Sequence, residues 1–512
     1  MQTNILEYLE NGGAKHFPAK VAIVDPEKSY TFAEVERHAK CCAAAILQRT
    51  AVVSKPIAVH LPKSAGVIFA DLGIVYTGNV YTNLDVKSPA QRTRNIIQNI
   101  DPVLVISSRA LAPQLSAIEV TPDKLLFIED ICNAAPVYDN AALLRRLDSV
   151  IDTDPLCIIN TSGSTGTPKG VVLNHRSTID YMDWCFQRFA FTGTERIGSL
   201  SPPYFDHYTL ELNLCMAKGA TLVIIPDQLA IFPVKLMEFI VEQAISFVFW
   251  VPSIMVNICN QGLLETFGPS SLKTIFFAGE VFPMRHLNHW RRALPEALFV
   301  NLYGPAEITV DCTYFVLDRE FADDEALPIG FPCRNTSILI LNSDNQPCEI
   351  EERGELCVRG SSLAMGYWND PEKTAKGFVQ NPLNPNYPEL IYRTGDLVYR
   401  NRRGEIMFVG RLDYQIKHMG YRIELPEIEY QVLAIDQIAN ACVLYNQLKK
   451  EITLFYETKA SDLGPATIRQ KLAQVFPKYM LPCAFHQLSE MPRNPNGKID
   501  RNGLSLRMEN VA

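Results

Sequence analysis

No two of the 13 cysteines stand in a C-x-x-C spacing, so neither a zinc ribbon nor a dithiol redox pair is written into this chain. Their odd number and the adjacent Cys41-Cys42 also speak against a disulfide framework, and reduced thiols in a cytoplasmic protein are expected. Runs of lysine and arginine are missing, and the formal net charge is −8. A polyanion finds no electrostatic footing there, which excludes nucleic acid as a partner. The first residues, Met1-Gln2-Thr3-Asn4-Ile5-Leu6-Glu7, lack a basic stretch followed by an apolar one. The most apolar later stretch, Phe247 to Cys259, is broken by Pro252, Ser253 and Asn257. Neither export nor membrane spanning is expected. His286 and His289 lie three apart without a third ligand nearby, so zinc is not expected. No internal repeat or low-complexity stretch is visible.

What is present is a chain of 512 residues, 47% hydrophobic and 20% charged, the balance of a folded protein too long for one core. Short β-rich runs alternate with helical patterns: Pro56 to His60, then Ala65 to Tyr76; Val103 to Ile106; Thr221 to Ile225, then Pro233 to Gln243; Ser246 to Val251. Such alternation predicts parallel α/β units. From about Leu327 the strands crowd together, as in Ser337 to Leu341 and Gly354 to Gly360, which predicts a mainly antiparallel segment.

Directly after the apolar run Leu156-Cys157-Ile158-Ile159 comes a loop dense in hydroxyls and glycines: Thr161, Ser162, Gly163, Ser164, Thr165, Gly166, Thr167, Pro168, Lys169, Gly170. Glycines let backbone N–H groups turn toward an anion, the hydroxyls donate further bonds, and Lys169 adds a point charge. That is a phosphate-holding composition. It is not a Walker A loop, because Pro168 precedes the lysine and Gly170 follows it.

Four more segments follow in order: Asn301-Leu302-Tyr303-Gly304-Pro305-Ala306-Glu307, Tyr392 to Leu397, Gly410 to Lys417, and Asn494 to Asp500. Together with the loop they resemble the core motifs of adenylate-forming enzymes over nearly the whole chain. The likeness is greatest to the amino-acid adenylation domains of nonribosomal peptide synthetases and to free-standing relatives such as L-prolyl– and D-alanine–carrier-protein ligases. The resemblance implies an α/β fold in two parts. Residues 1–412 would form a large domain of parallel α/β subdomains plus a small β-barrel-like part, and 413–512 a mobile α+β domain pivoting at Asp413.

It also implies a reaction: ATP and Mg²⁺ activate a carboxylate to an acyl adenylate, and the phosphopantetheine thiol of a carrier protein, expected as a separate polypeptide, then takes the acyl group. Lys498 would be the catalytic lysine bridging carboxylate and α-phosphate, and Glu307 the Mg²⁺ ligand. Gly279, Asn301, Tyr303, Asp396, Arg411 and Lys417 would surround adenine and ribose. Ala306 departs from the threonine usual there, so one hydroxyl contact to phosphate is missing.

Asp206 matches the aspartate that holds the α-ammonium group in amino-acid-activating relatives. The further pocket positions implied are His207, Leu210, Trp250, Phe276, Ala278, Leu302, Val310 and Asp311. A wall this crowded leaves room for a compact side chain, so L-proline or another compact amino acid is expected. A cationic amino acid (arginine, ornithine or lysine), met by Asp311, and D-alanine are the alternatives. His207 and Asp311 fit the apolar pattern poorly and are expected either to pair with each other or to meet a polar substrate group. An acid–CoA ligase would share the ATP motifs without needing Asp206, and a non-catalytic nucleotide-binding protein would not need the full set.

Overall fold

Alternating short strands and longer helices in the first 330 residues become two large sheets with helices packed on them. The computed structural model describes residues 2–133, 138–162, 168–268, 271–458, 463–493 and 499–510. Gly163, Ser164, Thr165, Gly166 and Lys498 therefore lie outside the described residues.

One sheet has seven strands in the order Gly366–Tyr367, Lys169–Asn174, Pro155–Thr161, Val80–Asn83, Pro56–His60, Leu104–Ser107, Leu125–Phe127. Its inner pairs are parallel, while Pro155–Thr161 and Lys169–Asn174 run antiparallel. A second sheet of nine strands carries Phe247–Trp250, Thr274–Phe277 and Leu298–Tyr303 side by side and parallel. The antiparallel character expected after Leu327 appears as a third, five-stranded sheet built around the long strand Leu390–Arg400.

Strand alternation in the second sheet decides which side chains can face a ligand. Phe249, Phe276 and Val300 sit opposite one another in register. Together with Leu210, Leu302 and Val310 they belong to the main apolar core. Val248 and Trp250 point the other way, into a separate core with Met255, Phe277 and Trp290. Helix His207–Lys218 ends where Gly219 adopts a left-handed conformation, φ +72°, a backbone that a side chain would strain. Its other end presents Asp206.

Beyond Leu412 come the hairpin Gln415–His418/Tyr421–Glu424, helix Leu425–Leu433 and the three-stranded sheet Ile438–Asn446, Glu451–Thr458, Ala484–Leu488. This part keeps its own apolar cores: one runs from Ile416 to Leu481, and the other joins Cys442 and Phe455 to Leu504 and Met508. Among the described residues no helix is long and apolar enough to cross a membrane.

Candidate active site

A cleft of about 140 Å³ opens between the two sheets and the Gln415–Glu424 hairpin; Thr161, Ser162, Asp206, His207, Gly279, Ala306, Asp396, Arg411, Lys417 and Arg422 line it. The motifs single out all of these but Arg422, and the fold brings them together from segments up to hundreds of positions apart; Asn83, Asp85, Arg92 and Tyr479 line the cleft as well.

Asp396, 5% exposed, is held from two sides. Its Oδ1 accepts from Arg411 Nη1 at 2.7 Å, and its Oδ2 accepts from the Tyr303 hydroxyl. Arg411 also makes a two-pronged pair with Asp413, both contacts at 2.7 Å, so the guanidinium links the ribose candidate to the hinge candidate. Lys417 lies with its ammonium 5.8 Å from the centre of the Tyr303 ring. Burial lowers its pKa, and the charge of Asp396 partly offsets that. Asn301 donates its side-chain amide to Pro328 O at 2.8 Å. Gly279 sits at φ +94°, which explains a glycine at this turn.

Glu307 is fully buried and ionised. Burial alone would raise its carboxyl, but Arg422, Lys169 and the Tyr367 hydroxyl outweigh it and hold the group near 2. Arg422 Nη1 reaches Oε2 at 2.6 Å, and Tyr367 donates to Oε1 at 2.8 Å. A hard anionic oxygen suits Mg²⁺, so the residue type fits, but in this arrangement a guanidinium holds the position a cation would take. Among the described residues no cluster of three or more His, Cys, Asp or Glu could hold a metal by itself. In the phosphate-loop segment, Ser162 Oγ donates to Arg422 O at 2.7 Å and Lys169 Nζ to Glu424 Oε1 at 3.1 Å, while Thr161 Oγ1 is buried without a partner.

Asp206 caps the start of its helix without a side-chain bond to it. Burial pushes its carboxyl up to about 6, opposed by the charge of Lys417 and by backbone N–H groups at the helix start. His207 lies flat on Phe249, ring centres 4.0 Å apart and planes at 18°; its Nδ1 is unpartnered, and burial, then Lys417, lowers it to about 3, so the ring is neutral. Asp311 is 1% exposed and accepts from the Tyr181 hydroxyl at 2.9 Å. Burial, with Asp206 adding to it and Tyr181 opposing, pushes it up to about 8, which leaves it protonated at neutral pH. Its Oδ1 has no partner.

Two expectations need correction. His207 and Asp311 are not a pair: one stacks on Phe249 and the other bonds to Tyr181. Trp250 is not in the pocket wall, because the one-residue step along a strand turns it to the opposite face; Phe249 stands in its place beside His207, Leu210, Phe276, Ala278, Leu302 and Val310. Phe249 was within reach of sequence reasoning, since Phe276 across the strand fixes the face by period two. Tyr181 and Tyr367 had no local signal. Arg422, Glu424 and Glu280 sit beside quoted motifs, yet their partners are set only by tertiary contact: Glu280 accepts from Gly420 N–H at 3.0 Å.

The profile described as AMP-binding enzyme matches residues 12–368. The chain belongs to the AMP-binding, adenylate-forming enzymes. It is 31% identical to tyrocidine synthase 1 of Brevibacillus parabrevis over 493 residues, 96% of this chain and 44% of that protein. It is 30% identical to gramicidin S synthase 2 of Brevibacillus brevis over 509 residues, 98% of this chain and 11% of the relative. The chain thus spans less than half the length of these curated relatives. Among solved structures, IdnL1 superposes with a TM-score of 0.81 at 25% identity, covering 96% of this chain and 99% of that one. PA1221, an NRPS protein containing adenylation and PCP domains, gives a TM-score of 0.81 at 23% identity over 99% and 84% of the two chains, a likeness of fold.

Proposed function

We propose that this adenylate-forming enzyme uses ATP to activate a compact amino acid as its aminoacyl adenylate and passes it to the phosphopantetheine thiol of a carrier protein. One observation carries the reading: a buried carboxylate, Asp206, lines the same cleft as Asp396, Arg411 and Lys417 of the nucleotide set, and Arg422 of that lining holds Glu307. An α-ammonium group supplies a counter-charge, whereas a fatty or aryl acid would leave Asp206 buried and unpaired. The acid–CoA ligase alternative is disfavoured for that reason.

The carboxylate of Asp396, pinned by Arg411 and Tyr303, is oriented to accept from ribose hydroxyls. Glu307, together with phosphate oxygens, would hold Mg²⁺, which supplies Lewis-acid polarisation of the phosphate under attack. Lys498 is proposed as the lysine that bridges the carboxylate and α-phosphate during that attack. Asp413, bound to Arg411, is proposed as the pivot.

Compactness follows from the wall. The cleft reaches Asp206, His207 and Gly279 but none of Leu210, Phe249, Phe276, Leu302, Val310 or Asp311, all of them at most 1% exposed. Glycine and alanine fit such a shallow site, with proline the largest candidate. A cationic side chain is disfavoured, because the cleft does not reach Asp311, which is 1% exposed. Amino-acid-dependent ATP–pyrophosphate exchange tests the proposal: the smallest amino acids should give the highest rates, and Asp206→Asn should abolish exchange with all of them while nucleotide binding persists. Exchange driven by a carboxylic acid without an amino group, undiminished in Asp206→Asn, would refute it.

A further inference from the structure

Asp71 is the one charged residue of helix Ala65–Tyr76, and it is only 1% exposed. A carboxyl group buried in an otherwise apolar helix is costly, and such local conflicts are retained where another part of the molecule uses them. Its partner is Asn83, the last residue of strand Val80–Asn83. The side-chain Nδ2 of Asn83 donates to Asp71 Oδ2 at 3.0 Å and to the carbonyl oxygen of Pro203 at 3.2 Å. Both neighbours accept, so the amide has one workable orientation: turned over, its oxygen would face the Pro203 carbonyl and leave that carbonyl without a donor. Asn83 is itself buried, and it lines the cleft.

The bond to Pro203 matters because of what that segment lacks. Pro202 and Pro203 have no N–H, so the run from Leu200 to Asp206 relies on its carbonyls for anchorage. Pro202 O accepts from Phe205 N–H at 3.0 Å within the turn. Two side chains reach the run from outside: Lys63 Nζ donates to Leu200 O at 2.9 Å, and Asn83 to Pro203 O. The carboxylate of Asp206 is steadied by backbone N–H groups at the helix start, so the backbone of this turn sets where it stands.

We propose that Asn83, its amide oriented by Asp71, is a positioning residue of the amino-acid site: by holding the Pro203 carbonyl it fixes the turn that presents Asp206 to the substrate ammonium. This rests on the reading of Asp206 as the ammonium-binding carboxylate. Asp396, Arg411 and Lys417 of the nucleotide set come from other segments, so loosening the turn acts on one substrate and spares the other.

The test is ATP–pyrophosphate exchange with the KM of the amino acid and the KM of ATP measured separately, and a thermal melt of each variant. Asn83→Ala should raise the amino-acid KM by about tenfold or more, because even a displacement of about 1 Å at a positioned group is costly, and leave the KM of ATP within about twofold. Asp71→Asn keeps an oxygen toward the same amide and should retain the parental amino-acid KM. Asp71→Val combined with Asn83→Ala removes both buried polar groups at similar total volume, so it should melt closer to the parent than Asn83→Ala does yet show the same raised amino-acid KM. A parental amino-acid KM in the paired variant, KM values for both substrates rising together, or a loss in Asp71→Asn as large as in Asn83→Ala would overturn the proposal. Asp206→Asn, assayed alongside, separates the two readings. If it still exchanges with amino acids, the ammonium reading falls first and this inference with it; if it is inactive while the Asn83 variants keep the parental amino-acid KM, only this inference falls.

Discussion

Truncating Phe249 and truncating its neighbour Trp250 should have opposite consequences for specificity and similar ones for stability. Both are fully buried, at 0% and 1% exposure, so either change to alanine leaves a cavity costing about 3–5 kcal/mol. The whole fold is worth roughly 5–15 kcal/mol, so each variant should stay folded with a lowered melting temperature. Only the Phe249 cavity opens beneath His207, whose ring now rests on it at 4.0 Å. A longer substrate side chain can fill that space, and each methylene so buried is worth about 1–3 kcal/mol of discrimination, a change of at least roughly tenfold in relative rate. Phe249→Ala should therefore shift ATP–pyrophosphate exchange from the smallest amino acids toward valine- or leucine-sized ones. Trp250→Ala, whose cavity faces Met255 and Phe277 in the other core, should leave the ranking of substrates unchanged. The assay is exchange across the proteinogenic amino acids, with thermal melts to normalise for folding. A changed ranking in Trp250→Ala, with Phe249→Ala retaining the parental one, would refute the assignment of the two faces.

Asp311 should leave a mark on pH stability. The native chain keeps its proton up to about 8, whereas the unfolded chain releases it near the ordinary value of roughly 4. The stabilisation is fully present below the unfolded value and is lost as pH rises through the native one. Asp311→Asn should gain on the parent between about pH 4 and about pH 8 by on the order of a few kcal/mol, read as diverging melting temperatures; parallel curves would show that the carboxyl is already ionised when folded. Lys498→Ala should nearly abolish adenylation yet spare transfer from preformed aminoacyl adenylate, because its charge is needed only where the α-phosphate is attacked. Equal loss in both half-reactions, each followed by single-turnover quench, would remove it from that role.

The elements and the chemistry class were readable because they rest on local rules. Runs such as Thr221 to Ile225 became strands, and Pro233 to Gln243 became a helix, within one residue of the expected ends. Glycines and hydroxyls after an apolar strand suggested a phosphate-holding segment once the other motifs stood beside it. Asp206, Glu307, Asp396, Arg411 and Lys417 were named from short motifs, and the cleft gathers all but Glu307 in its lining; Glu307 joins through Arg422.

What local rules could not decide is which face a side chain takes and what it meets there. Trp250 and Phe249 differ by one position, and in a strand one position is the difference between the substrate side and the opposite core. His207 and Asp311 stood out in an apolar pattern and were expected to pair with each other or to meet a polar substrate group, but one stacks on Phe249 and the other accepts from Tyr181. The sequence by itself determined the order of elements, because spacing and residue type act over a few neighbours, and its resemblance to adenylate-forming enzymes implied the reaction class and the residues rich in chemistry. Only the tertiary structure decided that Arg422 lies on Glu307 and Glu424 on Lys169, because pairing across more than a hundred residues depends on how two separately packed parts meet.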